Sequence, residues 1–254
     1  MQLFPDERVN CTSSSALYPT CKEFYSDGNL AEFCIEIFFM KILFAIFVIL
    51  ISNLACSQNS SKKSTSTIYT NVGGSCEGCE AIHESPIPFD SLKNMSWLPD
   101  WNDTGRKLAI NGIVYKADGT PAPGVIIYVY HTDQAGIYPK KGDEKGWGQR
   151  HGYIRGWMRT NDKGEYKFFT LRPAAYPGRK DPAHIHISIK EPDKNEYWID
   201  EYLFDDDPLL TDKQRKNSED RGGSGILKLK DVGNMLKAER HIYLGKNIPD
   251  YPKQ

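Results

Sequence analysis

The residues in this chain best placed to do chemistry are His184 and His186, in the run Asp181-Pro-Ala-His-Ile-His-Ile187. In an extended strand, residues i and i+2 share a face. One face of this strand therefore carries His184, His186 and Ser188, and the other carries Ile185, Ile187 and Ile189. Two imidazoles side by side on a rigid strand suit a single metal ion. The competing reading is a pair of satisfied structural histidines. A coordination sphere needs further ligands, and the remaining histidines (His83, His131, His151, His241) are scattered. Two tyrosines sit in irregular segments able to approach the strand. Tyr138 lies in Ala135-Gly-Ile-Tyr-Pro139 and Tyr176 in Arg172-Pro-Ala-Ala-Tyr-Pro-Gly178. Taken alone, such loop tyrosines are ordinarily rim aromatics.

The elements that must position these groups read as all-β. Short apolar or alternating runs at 108–115, 125–131, 156–160, 165–170, 184–189, 197–204, 226–230 and 240–244 predict strands. Gly, Pro, Asn and Asp punctuate them at 118–124, 161–164 and 191–195. The turn at 161–164 predicts a hairpin between the strands on either side. Such spacing implies an antiparallel β-sandwich of the immunoglobulin or prealbumin kind, with long loops and little helix. Segments 211–217 and 231–238 could each give a helical turn or two. Residues 134–153, rich in Gly, Lys and aromatics, form a long loop of the kind that is usually functional or mobile. Asp205-Asp-Asp207 reads as a solvated turn or, alternatively, a calcium site.

Composition bounds the wider picture. The 254 residues carry a net charge of -1, with no basic stripe, which gives no electrostatic case for nucleic-acid binding. Met40-Lys41, an apolar run over 42–51 and the exit Ser-Asn-Leu-Ala-Cys56 read as a signal segment over 40–56. Its Ala55-Cys56 ending resembles a bacterial lipobox. That implies export and a lipid anchor at Cys56, on the periplasmic or surface side of a bacterial membrane. The alternative is an uncleaved anchor over 33–54, which Glu36 and Lys41 interrupt. Residues 1–39 would then be an upstream extension, 57–72 a flexible linker, 73–106 an arm and 107–250 the folded domain. Cys76-Glu-Gly-Cys79, in the arm, lacks the second ligand pair a zinc site needs; in an exported protein it reads as a disulfide-closed loop.

In order along the chain, Tyr138, Tyr176-Pro177 and Pro182-Ala-His-Ile-His186 resemble the intradiol ring-cleavage dioxygenases of the protocatechuate and catechol type. Asn111-Gly-Ile-Val114, Asp118-Gly-x-Pro-x-Pro-Gly124, Arg159-Thr-Asn-Asp-Lys-Gly164 and the run from Glu201 to Leu209 are similar to that family too. The resemblance implies one non-haem Fe(III) held by Tyr138, Tyr176, His184 and His186. It also implies cleavage of a catechol-type ring between its two hydroxylated carbons, with O2, to a cis,cis-muconate-type diacid. Phenolate is a hard anionic donor suited to a hard trivalent cation. In the family the tyrosine next to the His-x-His strand is released by substrate, here Tyr176. The chain departs from the family where Asp181 replaces an Arg before Pro-Ala-His-x-His, and where Glu201 aligns with a frequent Gln. Arg179 and Lys180 are the nearest cations and, with Tyr176 and Glu201, the candidate catalytic residues. Two further readings stay open: a non-catalytic transthyretin-like binding module, and an iron-binding dioxygenase with poor turnover. A homo-oligomer is left open.

Overall fold

The computed structural model describes residues 71–253. The expected upstream extension, the signal segment with Cys56 and most of the linker lie outside the described residues. Twelve strands occur among the described residues: β1 (Met95–Trp97), β2 (Lys107–Tyr115), β3 (Ile126–His131), β4 (Arg155–Arg159), β5 (Glu165–Leu171), β6 (His184–Lys190), β7 (Glu196–Trp198), β8 (Tyr202–Phe204), β9 (Ile226–Leu227), β10 (Lys230–Val232), β11 (Met235–Glu239) and β12 (Ile242–Tyr243). Among the described residues, helix is confined to α1 (Gly148–His151), α2 (Asp212–Lys216) and two 3-10 turns, Cys79–Glu84 and Phe89–Ser91. No described helix is long and apolar enough to cross a membrane.

The strands form two sheets. One runs β1-β5-β2-β11-β10, with β12 also on β2; the other runs β4-β3-β6-β8-β9, with β7 also on β6. The all-β sandwich is thus as expected. Its ladders are mixed, because β1–β5, β2–β11, β2–β12 and β8–β9 pair in parallel. Apolar residues of both sheets meet in one core, including Leu108, Ile110 and Phe168 from the first sheet and Ile127, Val129, Ile185 and Ile187 from the second.

β6 is central to its sheet, flanked by β3 on one side and by β7 and β8 on the other. Ile185, Ile187 and Ile189 are 0%, 3% and 0% exposed, so this face of the strand is sealed in the core. The period of two then forces His184 and His186 onto the opposite face, where both are half-buried.

Three sequence expectations are corrected. The 161–164 turn is present, with Asn161 Oδ1 accepting from the Lys163 and Glu165 amides. It does not close a hairpin: β4 pairs with β3 and β5 with β2, so the chain changes sheets there. Segment 231–238 is a β10–β11 hairpin rather than a helical turn, since Leu236 and Ala238 alternate inward against β2. The run 197–204 breaks into β7 and β8, because residues 199–201 leave the ladder to carry Glu201 across the end of β6. The 211–217 segment does give a helical turn. Thr211 and Gln214 form a capping box at the start of α2.

Replacing Ile185 with Ala should cost about 2–5 kcal/mol through the cavity it leaves. Urea unfolding would read this as a lowered midpoint at unchanged m-value.

Candidate metal centre

Four donor atoms converge on the exposed face of β6. Tyr138 Oη–H donates to His186 Nε2 at 2.7 Å, and Tyr176 Oη lies 3.3 Å from the same nitrogen. His184 Nε2 is 3.2 Å from His186 Nε2, and the two tyrosine hydroxyls are hydrogen-bonded to each other. Ligands about 2 Å from one ion stand roughly 3 Å from one another, so these separations suit a single small cation.

The imidazoles are oriented from behind. His184 Nδ1–H donates to the Pro182 carbonyl at 2.7 Å, and His186 Nδ1–H donates to Glu201 Oε1 at 2.6 Å. Both rings therefore present an Nε2 lone pair to the cluster, the arrangement that carboxylate and carbonyl partners impose on metal-binding histidines. His184, His186 and Glu201 also have donor atoms within 4.8 Å of one another. Yet Glu201 engages the far edge of the His186 ring, whereas both phenols meet at its Nε2. The Tyr/Tyr/His/His set could hold an ion, with Glu201 as a support behind His186.

Each contributor is held by local structure. Asp207 Oδ2 accepts from the Ala183 amide at 2.9 Å, fixing the Pro182-Ala183 entry into β6. Asp206 binds Arg172 and Asp205 binds Arg215, so the Asp205–Asp207 run is a set of turn anchors and not a calcium site. Tyr138 follows a turn organised by Asp133, whose carboxylate accepts from the Ala135 and Ile137 amides. Gly136 in that turn has φ +75, and a Cβ there would lie 2.0 Å from the Ala175 carbonyl oxygen in the Tyr176 loop. Only glycine fits such a backbone approach. Arg240, 3% exposed, donates to the Asp200 carbonyl at 2.6 Å and braces the Glu201 segment.

Burial governs the protonation of the cluster. Burial, reinforced at Tyr138 by the Tyr176 hydrogen bond, raises both phenol pKa values above the ordinary range. Both are therefore protonated at neutral pH unless a strong positive charge favours the phenolates. Burial lowers His184, which keeps that ring neutral and available. Burial pushes Glu201 up, but the His186 hydrogen bond together with the charges of His186 and His184 outweighs it and holds the carboxyl below its usual value.

The structure brings Tyr138, Tyr176, His184, His186 and Glu201 together. Arg179 is at the margin: its Nε donates to Asp181 at 2.7 Å, and its guanidinium lies 5.1 Å above the Tyr176 ring. Lys180 is exposed and does not line the neighbouring pocket. Two features lie beyond the sequence reading. Tyr130, the register partner of His186 on β3, stacks on it at 4.4 Å and on His151 at 3.7 Å. The Cys76–Cys79 disulfide loop flanks a pocket of about 270 Å³ whose other wall includes His186 and Glu201. Strand periodicity gives the face Tyr130 occupies; nothing in the sequence gives its register opposite His186.

A family model described as Dioxygenase (Dioxygenase_C) matches residues 78–233, more than half of the chain. Among curated proteins, the chain is similar to the protocatechuate 3,4-dioxygenase beta chain of Burkholderia cepacia, 27% identical over 131 residues, covering 49% of this chain and 55% of that one. It is also similar to catechol 1,2-dioxygenase 1 of Acinetobacter lwoffii, 29% identical over 139 residues, covering 48% and 43% respectively. The chain spans about half the length of these relatives. Among solved structures, wild-type catechol 1,2-dioxygenase of Acinetobacter radioresistens matches with a TM-score of 0.47 at 16% identity, covering 59% of this chain and 56% of that one.

Two measurements check the site. Glu201→Ala should weaken ferric-ion affinity about 10–100-fold while all four donors remain, read by competition with a chelator. His151 is 6% exposed, and burial, followed by the nearby His186, lowers its pKa to about 4. The unfolded chain thus binds more protons than the fold between pH 4 and the ordinary histidine value. Its contribution to stability is complete above about pH 6.5 and is lost as the pH falls, by about 2 kcal/mol between pH 7 and pH 5. Denaturant titrations at both values should show this loss, and His151→Gln should flatten it.

Proposed function

The chain belongs to the intradiol ring-cleavage dioxygenase family, and from that membership we propose that it is an Fe(III)-dependent dioxygenase acting on a catechol-type aromatic. The observation that carries the proposal is the meeting of Tyr138, Tyr176, His184 and His186 at one point on β6. Bound there, a ferric ion would supply the Lewis acidity and redox chemistry that let an electron-rich diol react with O2. Cleavage between the two hydroxylated carbons places both oxygen atoms of O2 in a cis,cis-muconate-type diacid.

The residues divide the remaining work. His184 and His186 are fixed supports, each locked by a hydrogen bond from its Nδ1. Tyr138 is backed by Tyr130, with ring centroids 5.8 Å apart, and does not line the adjoining pocket of about 390 Å³. Tyr176 does line it, together with His184 and His186. An incoming diol therefore reaches Tyr176 first, and its Oη is the proposed acceptor of one catechol proton. The pocket is large enough for a single aromatic ring. The disulfide between Cys76 and Cys79 supports an oxidising, exported setting, with a lipid anchor at Cys56 as the proposed tether.

The test is direct. Purified protein loaded with ferric iron should bind a single ion and turn red-brown from tyrosinate-to-iron charge transfer. It should consume O2 in the presence of catechol. His186→Ala should abolish the ferric site, and Tyr138→Phe should shift or bleach the colour and lower kcat by at least about 100-fold, more than the ~10-fold a lost positioning contact gives. A colourless protein after loading would overturn the ligand assignment. A coloured protein that consumes no O2 with any catechol would leave an iron-binding, non-turning relative.

A further inference from the structure

Two pockets adjoin the cluster and share His186 and Glu201. One, about 390 Å³, is walled by Tyr176, Arg179, Asp181, His184 and Gln214; the other, about 270 Å³, by Glu77, Tyr130 and Trp198. A substituent on a ring held at the centre must extend into one of them. Their charged lining is lopsided: three carboxylates (Glu77, Asp181, Glu201) stand against a single guanidinium, Arg179.

That guanidinium is already engaged. Arg179 Nε donates to Asp181 Oδ2 at 2.7 Å. Glu77 is paired at the rim with Arg150, which is outside the pocket lining. Glu201, which faces both pockets, is bonded to an imidazole and not to a cation. A carboxylate on the substrate would thus enter a lining that holds Glu201 and either Asp181 or Glu77, with no unpaired lining cation among the described residues to meet it. An ammonium group would find the opposite. Asp181 and Glu201 are 45% and 40% exposed, so solvent screens them, and charges of this kind change affinity by about two- to fivefold.

We propose that this centre selects catechols whose ring substituents are neutral or cationic and discriminates against ring carboxylates, with the Asp181–Arg179 pair as the determinant on one wall. The inference rests on the reading of the centre as a catechol site. It concerns binding, so it can be measured apart from turnover.

Ferric-loaded protein would be titrated without O2 with catechol, 3,4-dihydroxybenzoate and 3,4-dihydroxyphenethylamine, following the visible charge-transfer band. O2 uptake would then be measured with each. The benzoate should bind at least about twofold more weakly than the other two, and the gap should narrow at high salt. Asp181→Ala, which leaves Arg179 unpaired, should improve the benzoate relative to catechol; Asp181→Asn serves if the alanine variant folds poorly. Benzoate binding equal to catechol in the unsubstituted protein, or a ratio unmoved by either variant, would overturn the inference. Ordered binding without O2 uptake would overturn the dioxygenase reading and leave the selectivity standing. Failure of all three to bind would overturn both.

Discussion

The structure depends on one strand serving two environments at once. β6 gives Ile185, Ile187 and Ile189 to the core and His184 and His186 to the opposite face. The pleat leaves no freedom in this division, since a one-residue slip would bury the imidazoles and expose the isoleucines. Burial of the isoleucines therefore sets the face from which both imidazoles project. The neighbours extend the constraint. β3 places Tyr130 opposite His186, and β8 places Leu203 opposite His184. The imidazoles thus stand on a central strand with neighbours on both sides, while the phenols arrive on loops.

Support for the cluster comes from backbone geometry as much as from side chains. Where β7 ends, the chain leaves the ladder for three residues and returns as β8, and Glu201 swings behind His186 in that gap. Gly225 makes the excursion possible, because a Cβ there would lie 1.9 Å from the Glu201 carbonyl oxygen. Two nearly buried arginines brace the region: Arg240 holds the Asp200 carbonyl, and Arg221 stacks 3.4 Å from the Trp198 ring while donating to the Gly73 carbonyl. The arm that carries the disulfide is thereby tied to the same loop system as Glu201.

Much of this was legible in the sequence, for physical reasons. Alternation in 184–189 specified both faces of β6, and the Gly- and Pro-bounded runs specified the strands around it. Tyr138 and Tyr176 were joined to the two histidines only through the family resemblance and its motif order, since nothing local ties Tyr138 to a strand 46 residues away. What escaped was set by tertiary choice. The Asn161–Gly164 turn has hairpin chemistry, yet the flanking strands join different sheets, β4 pairing with β3 and β5 with β2. Segment 231–238 has no period strong enough to choose between helix and strand, and pairing of Leu236 and Ala238 with β2 decides it. Tyr130 and the Cys76–Cys79 loop reach the site through register and chain path, which composition does not encode.

The contact between Gly136 and the Ala175 carbonyl links the two tyrosine-bearing loops directly. They are further stitched by the Ala174 amide donating to the Asp133 carbonyl at 3.1 Å and by Thr132 Oγ1–H donating to the Ala174 carbonyl at 2.7 Å. None of these bonds involves a ligand atom. The conformational entropy of ordering both loops is thus met when the chain folds, not when an ion arrives. Small domains that fold only around their metal make the opposite arrangement. Here the four side chains are brought together by the fold itself, so any ion they took would meet a body that is already folded.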